Sequence, residues 1–166
     1  MAWGVHWLLG MAGARSPEEF DAWQLAWDLK ERVFAFTATA PAVCDRRFCE
    51  EIREASRSAP DNIAEGFYRF NPPDFANFVR IARGSLGEVR NQLRHAHSKK
   101  YLNDADFDRL FDLCRRAIGA ATGLRLYLMS CPKNFDPRKL DRTGSVRNFV
   151  CETVDHATVG FVKRPS

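Results

Sequence analysis

Along most of this chain the apolar residues recur at intervals of three and four, the period of a helix with one buried face, and they do so in four successive stretches. The first follows Ser16-Pro17-Glu18-Glu19. Ser16 is placed to cap, Pro17 suits a first helical position, and Glu19 stands where the second half of a capping box belongs. Ala22, Leu25, Ala26, Leu29, Val33 and Phe36 then share one face, with Asp21, Gln24, Asp28 and Arg32 opposite, until Thr37 to Pro41 ends the pattern. Phe20, Trp23, Trp27 and Phe34 form a second apolar strip beside the first. That is more apolar surface than one neighbour covers, so the strip is read as core or subunit interface.

Asp45 is placed to cap the second stretch, whose apolar positions Phe48, Ile52, Ala55, Ala59 and Ile63 continue across Pro60. A proline inside a helix costs about 3 kcal/mol. It predicts a kink here, followed by a break after Gly66 and a restart at Pro72-Pro73-Asp74. Asp74 is the expected cap of the third helix, and Phe75, Phe78, Ala82, Leu86, Val89, Leu93 and Ala96 are its stripe. Gly84 and Gly87 lie off that stripe, where small residues let another helix approach closely. The fourth helix begins at Asn103-Asp104, carries Phe107, Leu110, Phe111, Cys114, Ile118, Ala121 and Leu128, and ends near Cys131-Pro132. No strand pattern competes with these four.

Helices of twenty-odd residues joined by short loops predict an all-α fold, an antiparallel up-and-down four-helix bundle over residues 16–131. Flexible extensions are expected on either side, residues 1–15 and 132–166. In the second, Val150, Val154, Val159, Phe161 and Val162 leave a short strand or a docked segment open.

Composition narrows the function classes. At 166 residues, 45% hydrophobic and 12% aromatic, the chain is long and apolar enough for one cored domain. The net charge of +4 does not lie in the body, where Ser16 to Cys131 holds 17 basic and 17 acidic residues; it lies at the ends, chiefly after Cys131. Five cysteines without a C-x-x-C pair indicate neither a disulfide framework nor a zinc site, and are read as reduced thiols. Met1 to Met11 is apolar, but it lacks a leading basic residue and is about half the ~20 residues a membrane span requires. It is read as a poorly ordered leader, with Met11 an alternative start, and the expected setting is cytoplasmic with no membrane partner.

Two groups of residues are candidates for function. Arg80, Arg83, Arg90 and Arg94, with His97 following, are spaced by three, seven, four and three and so fall on one helical stripe. Repeated by symmetry, such a stripe concentrates positive potential enough to hold phosphates of RNA or DNA. The alternative is a solvated face paired with neighbouring helices. Asn62 and Glu65 of the second helix, with Ser85 and Glu88 of the third, form the other group. Two carboxylates raise acid–base or metal chemistry. A bundle metal site adds Glu-x-x-His pairs, however, and Glu65 and Glu88 are followed at that spacing by Tyr68 and Asn91. This group is therefore expected to be a structural hydrogen-bond network that holds the Pro60 kink and the register between helices. His95 and His97, two apart, diverge too far on a helix to share a metal ion. No catalytic residue, metal site or cofactor is expected.

Three segments carry a resemblance. Ser58 to Gly66 reads S-A-P-D-N-I-A-E-G, Asp74 to Val89 reads D-F-A-N-F-V-R-I-A-R-G-S-L-G-E-V, and Phe20 to Leu29 reads F-D-A-W-Q-L-A-W-D-L. Together they resemble the four-helix-bundle proteins encoded in intervening sequences of bacterial 23S ribosomal RNA genes, a family that includes the accessory variability determinant of diversity-generating retroelements. The resemblance runs from Phe20 to about Leu128. Asp61 stands where serine is usual, and Asn71-Pro72-Pro73 replaces a more basic turn, which counts against nucleic-acid binding through that turn. The resemblance implies a homopentamer arranged as a ring or barrel, without enzymatic activity. For the retroelement members it implies a basic scaffold that binds RNA or DNA and a reverse transcriptase.

Overall fold

The computed structural model describes residues 14–69 and 71–131. The N-terminal segment through Gly13 and everything after Cys131 lie outside the described residues, and so do the expectations of flexible extensions and of a C-terminal strand. Four long helices dominate: α1 (Asp21–Thr37), α2 (Arg46–Tyr68), α3 (Pro72–Ser98) and α4 (Asp104–Ser130). Each packs on its neighbour in sequence, and α1 closes on α4, which makes the antiparallel up-and-down four-helix bundle that the periodicity predicts. No strand occurs among the described residues.

The core is the set of predicted stripes brought together. Leu29, Val33, Ile52, Ile63, Leu86, Leu93 and Cys114 are fully buried on one another, and Phe20, Phe67 and Phe75 close one end with edge-on ring contacts 5.7–6.3 Å apart. Rings in such edge-on arrangements add to the apolar burial itself.

The helix ends divide by how local their signals are. Asp45 accepts the Phe48 N–H at 3.1 Å and Asn103 accepts that of Asp106 at 2.8 Å, so both act as caps. The capping box expected at Ser16 and Glu19 does not form. Pro17–Glu19 is a separate 3-10 turn, α1 starts only at Asp21 after an extended Phe20, and Ser16 makes no capping bond. Asp74 is not a cap either: α3 opens with Pro72 at its first position, and Asp74 accepts from the Asn71 side chain at 3.1 Å. At the far end of α3 the Tyr101 N–H reaches the Ala96 carbonyl at 2.8 Å and the Lys100 N–H reaches His97 at 3.0 Å, while Lys100 takes a left-handed φ of 59°. This is a Schellman stop with lysine where glycine is usual. Tyr101 then packs on Phe48 and donates its hydroxyl to Asp45 at 2.9 Å, tying the end of α3 to the start of α2.

Pro60 lies inside an unbroken α2 and faces the core. The helix runs through Gly66 and ends two residues later, at Tyr68, so the break falls after the glycine as expected. Glycine is needed there for another reason: a Cβ at Gly66 would stand 2.5 Å from Phe75 Cδ2 and 2.7 Å from Phe78 Cβ. Gly84 and Gly87 differ from expectation, since a Cβ at either would meet nothing within 4 Å. They lie on the outer side of α3, so among the described residues no helix uses the space they leave.

Candidate functional site

The arginine stripe of α3 faces the seam with α4. Leu86 and Cys114 set the register, the Cys114 Sγ donating to the Leu86 carbonyl at 3.3 Å. Burial pushes that thiol up to about 11, with Arg90 opposing the shift, so it stays protonated and unreactive near neutrality. From this point toward the end of α3, five aromatic or cationic groups stack in a column. The Arg90 and Arg94 guanidinium carbons sit 5.0 and 5.2 Å from the Phe111 ring centre, Phe111 is 5.1 Å from Phe107, and Phe107 stacks on the His97 imidazole at 4.3 Å. Guanidinium over a ring face is an electrostatic attraction as well as packing. His97 Nε2 also lies 2.8 Å from Asp104 Oδ1.

Arg80 bends to the Asn77 side chain, both its Nε and its Nη2 reaching Oδ1, and Arg83 is exposed. Phe107, Phe111 and Arg125 were not singled out from sequence as part of this face. Phe111, Ile118 and Arg125 are each seven apart, so one side of α4 carries all three. That spacing was the available signal for Arg125.

The stripe's charges are unopposed. Arg32, Arg47, Arg69, Arg109 and Arg115 each pair with a carboxylate three or four residues away. Among the described residues Arg80, Arg83, Arg90, Arg94 and Arg125 pair with none, and the Nε atoms of Arg90 and Arg125 are buried without an acceptor. Arg15, Arg46, Arg53, Arg57 and Arg116 also make no ion pair among the described residues, but the sequence sets the five apart from them: no acidic residue stands three or four positions from any of the five.

The second candidate group is brought together only in part. Ser85 Oγ meets Ser58 Oγ at 2.8 Å across the α2–α3 seam, and Asn62 Nδ2 donates to the Ser58 carbonyl at 2.7 Å and to its Oγ at 3.1 Å. Ser58 is the hub, although sequence spacing pointed to its neighbours. Glu65 instead pairs with Arg69 on its own helix, and Glu88 stays exposed with no ion-pair partner among the described residues. Beside the serine pair runs a shallow groove of about 750 Å³, lined among others by Glu51, Glu54, Gly84, Gly87 and Glu88.

The remaining reactive groups are occupied or dispersed. Cys49 donates to the Ala42 carbonyl at 3.2 Å, and burial raises its thiol. No group of three or more His, Cys, Asp or Glu side chains is placed to hold a metal among the described residues, and no helix there is long and apolar enough to cross a membrane. Trp23, half-buried against the core, and the exposed Trp27 stack 4.8 Å apart, with the Lys30 ammonium 3.0 Å above the Trp27 ring centre.

No curated protein matches the chain. The family model described as 23S rRNA-intervening sequence protein matches residues 18–122, which span α1, α2, α3 and most of α4 and therefore both faces of α3 just described. With four antiparallel helices and that match over most of its length, the chain belongs to the 23S rRNA-intervening sequence protein family.

Proposed function

We propose that this protein is a non-enzymatic scaffold that works as a closed ring of identical copies, a homopentamer. The observation that carries the reading is the set of five arginines on the α3–α4 seam that have no carboxylate partner among the described residues. Charges gathered on one face and left unneutralised by their own chain mark a surface that something else completes. The described residues offer nothing comparable for catalysis, where a nucleophile, a base and an orienting group must meet.

A second reading follows from the same strip. Cations interleaved with Phe107, Phe111 and His97 suit the phosphates and bases of RNA or DNA, which would make the protein a nucleic-acid-binding accessory factor, working beside a reverse transcriptase.

Multi-angle light scattering on the purified protein, alone and with a mixed single-stranded RNA and DNA probe at low and moderate salt, tests both. A pentamer indifferent to the probe supports the scaffold. A pentamer that binds the probe at low salt and releases it at moderate salt supports the second reading. A monomer of 18.9 kDa overturns the oligomeric scaffold.

A further inference from the structure

We propose that the arginine strip on the α3–α4 seam of one copy docks into the acidic α2–α3 groove of the next. This inference rests on the homo-oligomer reading and names the two surfaces that meet.

The first argument is charge. The groove is lined by Glu51, Glu54 and Glu88; Glu51 is engaged with Arg47, while Glu54 and Glu88 have no ion-pair partner among the described residues. The strip presents the opposite sign in the same condition. Two helix faces with unspent charge of opposite sign are complementary to each other and self-repelling in any like-on-like contact. A head-to-tail contact is therefore favoured over a two-fold one.

The second argument is room. Gly84 and Gly87 lie on the groove with open space where a side chain would stand, and the half-exposed Ile81 lies on the same side of α3, one turn before Ser85. Long arginine side chains from a neighbour can enter without displacing anything. Helices of 23 and 27 residues are about 35–40 Å long, so a contact along two of them covers roughly the 800 Å² per partner of a specific interface.

The third argument is direction. Both surfaces include α3, so they stand on adjacent sides of a four-sided bundle. A heterologous contact between adjacent sides turns the assembly at every step, as a closed ring requires, whereas opposite sides would propagate an open filament. Because docking consumes the strip, a polyanion and a neighbouring subunit compete for it.

Charge reversal tests the assignment. Glu54→Arg/Glu88→Arg and Arg83→Glu/Arg94→Glu are made separately and together, all at exposed positions, and helicity and thermal unfolding establish that each variant folds. Glu54→Gln/Glu88→Gln serves as the milder form if the reversal disturbs folding. Each double variant is expected to fall to single-chain mass by light scattering at a concentration where wild type is assembled, and the quadruple variant to regain wild-type mass. Docking is overturned if the double variants keep wild-type mass or if the quadruple variant stays a monomer. It is also overturned if wild-type assembly binds single-stranded RNA through Arg83 and Arg94 with no change in mass, since the strip would then be free. Wild type that is itself monomeric overturns the oligomer reading, whereas assembled wild type with unaffected variants overturns only the choice of surfaces.

Discussion

Two glycine sites on the seam between α2 and α3 look alike in sequence and do opposite things. Around Gly66 the seam is closed: α2 comes down on the first turns of α3 so tightly that Phe75 and Phe78 occupy the space of a Cβ. Around Gly84 and Gly87 the seam is open, the helices are bridged by the Ser58–Ser85 pair, and the glycines face outward over the groove. The lesson is that a small residue in a helix reports a close approach only when the partner comes from the same side. At Gly66 the partner belongs to the chain, and at Gly84 the described residues supply none.

The largest effect is expected at the closed site. Gly66→Ala gains about 1 kcal/mol of helix propensity but forces Phe78 Cβ and the Phe75 ring to move, and overpacking of that kind leaves a net loss of about 2 kcal/mol. Urea unfolding measures it, and wild-type stability in that variant would mean the contact is loose. Next comes the serine pair between the two sites. A double-mutant cycle of Ser58→Ala and Ser85→Ala is expected to give a coupling of about 1 kcal/mol, and additive single effects would deny that the hydroxyls bond in solution.

At the open site the sign reverses. Gly84→Ala should stabilise the single-chain fold by up to about 1 kcal/mol, because the methyl meets nothing and the helix interior prefers alanine. Destabilisation would contradict the open geometry. A loss of assembled mass with the fold intact would show a neighbour reaching into the groove.

The smallest effect lies beyond the far end of the seam, at Asp45. The Phe48 N–H, then the Tyr101 hydroxyl, hold its carboxylate below the usual range, and the Asp45 bond holds Tyr101 above its own. A lowered carboxyl contributes stability that is present above its unfolded value of ~3.9 and lost as pH falls through the folded value; a raised phenol contributes stability present below ~10 and lost as pH rises through its folded value. The stability this pair contributes should therefore be constant between about pH 4 and pH 10. The advantage of wild type over Asp45→Asn should shrink as pH drops below about 4, and an advantage that persists at pH 2 would rule this carboxylate out as the cause.

Much of the architecture was legible beforehand. The four helices were, because each stripe repeats over about four turns or more and periodicity that long has few alternatives. So was the cap at Asp45, where donor and acceptor lie three residues apart and need nothing distant; the same spacing at Asn103 was the available signal for the cap there. The box at Ser16 and Glu19 was misread because two helical starts compete there, and the 3-10 turn at Pro17 takes the first. The stop at Lys100 carried no glycine to announce it. Arg80, Arg83, Arg90 and Arg94 were visible as a stripe, but Arg125 and the rings of Phe107 and Phe111 belong to another helix, and nothing local aligns them with α3.

The sequence by itself determined the number of helices, their buried faces, two of their caps and the absence of acidic neighbours around five arginines, since all of these depend on separations of two to seven residues. Only the tertiary structure decided that Ser58 rather than Glu65 meets Ser85, that Gly66 is crowded while Gly84 is bare, and that Arg90 and Arg94 overlie the Phe111 ring of α4. Those relations join residues about ten to thirty positions apart. Their outcome depends on how two helices rotate and slide against each other, a choice made by the packing of the whole core and not by any one stripe.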